Sequence, residues 1–417
     1  MNSLLSKIKY NKSVVKLYSF FHEKIQHMTM ATDVPEVRKL ECRTTNNDTK
    51  CLRCNLVVPS LQKKHVFGGI ATALTFFQEM CLQMGCNSRI IILDAEFDRK
   101  CAVSVEGYQL VEWNQDSNID KQIVDMSCRT KKTLAISSND VFMATCWWSA
   151  YLVREIIQFQ KLAYGNCKPL LYFIQDYEPG FYPWSSKYLM AESTYKMDVD
   201  VMAVFNTKLL YDYFADKSCK FYKMWYFEPE INKELVKYLK NVKEFPERKK
   251  QILIYGRPST PRNAFELIVE SLRQWVEIQQ DANEWKVISA GEKFEDVDIG
   301  KGLKIHSVGK LSLDEYANLM LESRIGISLM VSPHPSYPPL EMAMFGMKVI
   351  TNSFANKDMT QYSDNIVSVE ECSATNLAEY LKNICNISNI YNNVNVKYDK
   401  KRFAWNETFL TIANEWN

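Results

Sequence analysis

Three charged side chains stand just after short apolar runs, and their types suit one task. Arg257 opens "RPSTPRN" behind "QILIYG", and Lys310 follows "KIHSVG". Glu341 lies in "SPHPSYPPLEMAMFG", a loop with four prolines that follows "RIGISLMV". A guanidinium grips phosphate oxygens in pairs, and an ammonium adds a compact positive charge. Free N–H groups at the start of the helix that carries Glu341 would complete an anion site. A carboxylate can accept from two neighbouring hydroxyls, which is how a ribose is commonly held. Pro338 and Pro339 suit a helix start, where a missing N–H is no loss, and they stiffen the loop ahead of it. A first-turn acid also complements a helix dipole on its own account. Two cations at equivalent strand tips favour the ligand reading, a nucleoside diphosphate.

These residues need a scaffold that brings distant stretches together. From Asn55 onward short apolar runs ("NLVVP", "RIIILD", "VFMATC", "LLYFIQ", "VMAVF") alternate with amphipathic stretches such as "IATALTFFQEMCLQM". Unbroken apolar strands between helices imply a parallel sheet covered on both faces. After the charged stretch "NVKEFPERKK" the alternation restarts with "QILIYG", "WKVISAG", "LKIHSVG", "RIGISLMV" and "MKVIT". Ser312 and Glu315 form a capping box at the head of "LDEYANLMLES". The expected class is α/β, with two Rossmann-like domains facing a cleft. The expected divisions are 1–50, a helical arm and linker; 51–245, the first domain; 246–396, the second; and 397–417, a helix returning across the junction. A chain of 417 residues accords with this, at roughly 150 residues per domain.

In such sheets ligands bind beyond the carboxyl ends of the strands. In "PSLQKKHVFGGIATAL", Gly68 and Gly69 fall between strand and helix, where backbone can approach a phosphate or sugar. There is neither GxGxxG nor GxxxxGK[ST], which leaves a nicotinamide enzyme or a P-loop NTPase unsupported. "FIQDYEPGFYPW" follows another strand and sets Asp176 and Glu178 among aromatic rings, a combination that suits sugars. The pairs Asp198/Asp200 and Asp296/Asp298 resemble metal-binding spacing, but the first precedes its strand and the second lies in a polar loop. Both read as structural, and no metal site is assigned. Cys51 and Cys54 make one CxxC without a second pair, so packing at a strand start is the expectation.

Composition narrows the class further. The 51 basic and 49 acidic residues are interspersed, giving no push toward nucleic acid. No apolar run reaches the ~18 residues of a membrane span, and no signal-peptide pattern opens the chain. Twelve scattered cysteines then read as reduced thiols in a cytoplasmic protein. The basic, aromatic stretch "SLLSKIKYNKSVVKLYSFFHEKIQ" permits peripheral contact with the inner membrane face, or packing on its own domain or a partner subunit, which leaves a homodimer open.

With these residues in place, the chain resembles GT-B glycosyltransferases. Specifically, "PSLQKKHVFGGIATAL", "IYGRPSTPRNAFELIVESL", "VGKLSLDEYANLM" and "GISLMVSPHPSYPPLEMAMFG" resemble rhamnosyltransferases of bacterial surface-glycan assembly, which use dTDP-L-rhamnose. The resemblance implies that Arg257 and Lys310 hold the donor diphosphate and stabilise the departing nucleotide. It implies that Glu341 binds the deoxyribose or ribose hydroxyl of the nucleotide, and that Ser336 and Tyr337 contact phosphates or base. Related retaining enzymes carry a second glutamate shortly before this one; here His334 stands seven residues before Glu341, a departure that suits a 6-deoxy sugar. The acceptor would be a glycan or lipid-linked glycan, with His65, Asp176 and Glu178 as candidate bases. No cofactor is implied, since fixed cations can meet the leaving group's charge. Two other readings stand beside this one: a transferase using a UDP- or GDP-hexose, and a non-catalytic GT-B subunit of a glycan-assembly complex.

Overall fold

The structure, a computed structural model, describes residues 33–45, 51–63, 65, 68–217, 219–228, 231–242, 247–387 and 405–416. The amphipathic arm expected before residue 32 lies outside the described residues. Residues Met1–Lys39 and Leu40–Asn417 form separate compact units. In the first, Pro35–Val37 make a single 3-10 turn.

The strands of the second unit, in chain order, are β1 (Glu41–Thr44), β2 (Arg53–Val58), β3 (Asn87–Ile92), β4 (Gln109–Val111), β5 (Lys121–Asp125), β6 (Thr133–Ile136), β7 (Asp140–Ala144), β8 (Leu170–Ile174), β9 (Val201–Phe205), β10 (Lys223–Tyr226), β11 (Lys249–Gly256), β12 (Lys286–Gly291), β13 (Val297–Gly300), β14 (Leu303–Gly309), β15 (Ser323–Ile327), β16 (Lys348–Asn352) and β17 (Ile366–Val369). The helices are α1 (Gly68–Met84), α2 (Trp147–Tyr164), α3 (Ser186–Ser193), α4 (Lys208–Ala215), α5 (Lys233–Asn241), α6 (Phe265–Ile278), α7 (Leu313–Glu322), α8 (Pro338–Met344), α9 (Ala374–Cys385) and α10 (Trp405–Trp416).

The first lobe is an eight-stranded sheet in the order β10-β9-β8-β7-β2-β3-β5-β4. Its strand pairs are all parallel. The second is a seven-stranded sheet, β13-β14-β12-β11-β15-β16-β17, parallel except for β13. Consecutive residues of one strand enter different cores. Leu56 and Val58 pack with α1, while Val57 packs with α2. Likewise Ile252 and Ile254 face α6 and α9, whereas Leu253 faces α7 and α8. A sheet covered on both faces requires that uninterrupted apolar run. The two-lobed, Rossmann-like α/β architecture of the GT-B type is therefore what the strands build.

The Ser312–Glu315 capping box forms as expected, with Ser312 N–H donating to Glu315 Oε2 at 2.8 Å. Glu41–Thr44, expected in the linker, pairs in parallel with β6 outside the main sheet. Helix α5 falls before the expected boundary at 245, yet Leu235 sits in the second lobe's core with Met320 and Ala317. Its apolar face, alternating with Lys233, Lys237 and Lys240, found cover on α7 rather than on the first sheet. The last helix, α10, lies on α1: Phe409 meets Phe76 at 5.0 Å, and Trp416 Nε1 donates to the Pro169 carbonyl at 2.9 Å. Among the described residues no helix is long and apolar enough to cross a membrane.

Candidate functional site between the lobes

The carboxyl edge of the second sheet carries the three residues singled out above. Arg257 is exposed at the tip of β11. Beneath it two glycines let the central strands close. A Cβ on Gly256 would lie 2.2 Å from Ser289 Oγ. One on Gly291 would lie 2.7 Å from the Gly256 carbonyl oxygen, at a φ of +125° that side chains rarely adopt. The Arg257 loop is fastened on this floor by Ser259 N–H, which donates to Glu292 Oε2 at 2.9 Å. Lys310 is exposed directly after β14. Two strand spacings of ~4.8 Å separate the tips of β14 and β11, and β15, which leads into the Glu341 helix, is β11's neighbour on the other side. Glu341 is half-buried in the first turn of α8. Burial pushes its carboxyl up to about 7.

Residues from both lobes meet in front of this edge. Asp176, just beyond β8, accepts a short hydrogen bond from Ser332 Oγ in the loop after β15. Arg262 Nε stands 3.9 Å from Asp176 Oδ2, and its guanidinium lies 4.1 Å over the Phe181 ring. Val331 N–H donates to the Arg262 carbonyl at 2.7 Å, which ties the β11 loop to the β15 loop. Lys357, buried beyond β16, donates to the Met330 carbonyl at 2.5 Å. Burial pushes its ammonium down to about 7, with the Asp176 charge opposing that fall. The proline-rich loop is thus held from beneath by Lys357 and from the facing lobe by Asp176.

His334 corrects an expectation. Expected to face the donor, it is buried with both ring nitrogens engaged: Ser336 N–H donates to Nδ1 at 3.0 Å, and Nε2 lies 3.2 Å from the Asn206 side-chain amide. Burial pushes the ring's pKa down to about 4, so it is neutral near pH 7. With Nδ1 accepting, the proton sits on Nε2, and Asn206 must turn its oxygen toward it. That orientation also pairs the Asn206 Oδ1 atom otherwise left buried without a partner. His334 therefore ties the lobes together, and no 6-deoxy sugar need be invoked for it. Ser336 takes φ +69°, a left-handed turn that its N–H bond to His334 stabilises. Tyr337 is half-buried at the N-terminal end of α8.

The remaining candidates scatter. His65 is exposed, its Nδ1 3.0 Å from Ser60 Oγ. Gly68 and Gly69 open α1, and a Cβ on Gly69 would press on Gln175 Oε1 at 3.0 Å, whereas Gly68 has open space. Glu178 is buried and accepts from Trp147 N–H, at the start of α2, at 2.5 Å. Asp198 pairs with Arg154 at 2.6 Å and Asp296 with His306 at 2.7 Å, which gives both acids structural partners. Arg262, Lys357, Asn206 and Ser332 were missed. All four follow strands β11, β16, β9 and β15, so the strand-tip rule applied to every strand would have found them.

Glu178 yields a pH prediction. Burial raises its carboxyl from 4.5 to about 8. The folded protein thus holds a proton that the unfolded chain has lost, and this contribution to stability declines as pH rises from 4.5 to about 8. Glu178→Gln, which keeps an acceptor for Trp147 N–H, should flatten that decline in melting temperature. Parallel wild-type and variant curves across that interval would refute it.

Comparison with known proteins matches this geometry to a family. Residues 53–208 match the WsaF N-terminal domain and residues 250–382 the WsaF C-terminal domain. These are the two lobes of a GT-B fold, found in the same order and together covering more than half of the chain. The chain belongs to the WsaF family. It is 27% identical over 307 residues to the O-antigen biosynthesis protein RfbC of Myxococcus xanthus, a match covering 73% of this chain and 22% of that protein. The chain thus spans about a fifth of the length of that curated relative. Among solved structures it is similar to WaaG, a glycosyltransferase of lipopolysaccharide biosynthesis, at 13% identity and a TM-score of 0.48, covering 87% of this chain and 95% of that one. It is also similar to sucrose-phosphate synthase from Thermosynechococcus elongatus, at 11% identity and a TM-score of 0.48, covering 88% and 94%.

Proposed function

We propose that this chain is a glycosyltransferase of surface-polysaccharide assembly that transfers L-rhamnose from dTDP-L-rhamnose to a glycan or lipid-linked glycan. The observation that carries the reading is the shared edge: Arg257, Lys310 and the Glu341 helix follow strands β11, β14 and β15 of one sheet, facing a second lobe. As the bond from the sugar to the β-phosphate breaks, the nucleotide gains negative charge, and fixed cations that meet it lower the barrier. Arginine and lysine do this without a metal. Glu341 would accept from the one free hydroxyl of the donor's deoxyribose, and Ser336 and Tyr337 would line the phosphate end. On the acceptor side, Trp184 is 94% exposed and stacks on Tyr188 at 5.6 Å, a flat apolar surface of the kind that sugars cover. Membership of the WsaF family and the similarity to RfbC, an O-antigen biosynthesis protein, support a surface-glycan setting.

The test is a thermal-shift and turnover series with dTDP-, UDP- and GDP-sugars. The expected result is stabilisation by dTDP and dTDP-L-rhamnose, with slow hydrolysis of the latter when acceptor is absent. A response to UDP- or GDP-hexose instead would replace the donor. Silence toward every nucleotide sugar would leave the non-catalytic subunit as the better reading.

A further inference from the structure

Three thiols converge at the edge of the first sheet opposite the cleft. Cys54 is the second residue of β2, Cys81 lies in the last turn of α1, and Cys86 directly precedes β3. Local rules bring them together. Helix α1 ends in a turn where Gly85 takes φ +59° and Cys86 N–H donates to the Cys81 carbonyl at 3.3 Å, folding the chain back beside its own last turn. The chain then enters β3, whose parallel register on β2 sets Cys54 opposite Ser88, two residues beyond Cys86. The three Sγ atoms all lie within 4.8 Å of one another, and those of Cys54 and Cys86 are 3.2 Å apart. Among the described residues this is the one group of three histidine, cysteine or acidic side chains so arranged. Cys51, the other half of the CxxC, is exposed and outside it.

We propose that Cys54, Cys81 and Cys86 form a binding site for a thiophilic closed-shell metal ion, Zn(II) or Cu(I), held by three thiolates. A zinc–sulfur bond of about 2.3 Å spaces three such sulfurs about 3.8 Å apart. That value falls inside the observed spread, so modest side-chain rotation closes the set. Sulfur-only donors select soft ions over magnesium or calcium. Loading breaks three S–H bonds, forms three metal–sulfur bonds and passes three protons to solvent. Cys54 and Cys81 are buried, which shields the set from hard competing ligands. Cys86 is half-buried and leaves one side for entry and for a fourth small ligand on zinc. The ion would fasten the end of α1 to β2 and β3, while the start of the same helix, at Gly68 and Gly69, faces the cleft. The role is structural and independent of the transfer chemistry.

The test starts from reduced, metal-free full-length protein titrated anaerobically with Cd(II), Zn(II) and Cu(I). One equivalent of Cd(II) should produce a thiolate-to-metal charge-transfer band in the ultraviolet, and Zn(II) or Cu(I) should displace it and raise the melting temperature. Cys81→Ser should abolish the band while leaving the Cys54–Cys86 pair intact, and Cys51→Ser should not alter it. The loss in affinity should exceed the roughly 10–100-fold that a merely supporting residue costs. Where a buried substitution fails to fold, Cys86→Ser, at the half-exposed position, gives the same reading. An undiminished band in Cys81→Ser or Cys86→Ser, or no stoichiometric band in wild type, would overturn the proposal. So would a Cys54–Cys86 disulfide that mass spectrometry finds in the protein before reduction and that re-forms on removing reductant in the presence of zinc.

Discussion

Arg257→Ala is expected to lower turnover of the nucleotide sugar by about 10²–10³-fold, the usual cost of removing one fixed donor that meets developing charge. Lys310→Ala should cost a similar order, because its tip flanks the same edge two strands away. Both side chains are exposed, so neither change should shift stability by more than about 0.5 kcal/mol. That separation makes the test clean: turnover falls while the melting curve stays put. The kinetic split is informative as well. If the cations act on the leaving group, kcat falls with kcat/KM; if they only hold the donor, KM rises and kcat survives. The double variant should lose less than the product of the two single losses, since in the proposed mechanism both meet one charge. Turnover within a few-fold of wild type in the double variant would remove both residues from the mechanism.

Fold class was legible because its signal is redundant. Each central strand is an apolar run with no polar face, and several such runs point to a doubly covered parallel sheet without any of them being decisive. Short edge elements escaped: β4 spans three residues and β13 four, too few for a pattern to rise above the surrounding loop. Helix α5 falls inside the expected limit of the first domain yet packs on the second lobe, because a sequence shows that an apolar face must be buried, not what buries it. The site divides along the same line. Positions after strands are set by the order of elements, so the placement of Arg257 and Lys310 at strand tips was legible. Contacts between lobes depend on how two sheets face each other, and a linear pattern carries no trace of that. His334 was therefore read as facing a ligand, when Asn206 on the other lobe had already claimed its ring. The thiol trio was hidden for a related reason. Its members are joined by a helix-ending turn and a strand register, whereas the sequence offered only the CxxC spacing of Cys51 and Cys54.

Asp140→Ala is expected to be the most destabilising of these substitutions, at about 3–5 kcal/mol, because it strips the acid from a buried charge network. Asp140 is fully buried at the start of β7. Arg53, on β2, holds it with two bonds of 2.7 and 2.9 Å, and Arg89, on β3, adds one of 3.2 Å. Asn55 Nδ2 donates at 3.0 Å and Ser137 N–H at 2.8 Å. Burial alone would raise the Asp140 carboxyl, but Arg89 and Arg53 outweigh it and hold the acid below its ordinary range. One carboxylate thus serves three neighbouring strands, and its loss leaves two guanidiniums facing each other inside the lobe. The penalty should come from those stranded cations more than from missing bonds. Arg89→Met in the Asp140→Ala background should therefore recover part of the loss, although Arg89→Met alone destabilises. Asp140→Asn, which keeps the shape and removes the charge, should fall between wild type and Asp140→Ala. Urea unfolding of the four variants measures the coupling. Strictly additive losses for Asp140→Ala and Arg89→Met would show that charge compensation is not what the network supplies.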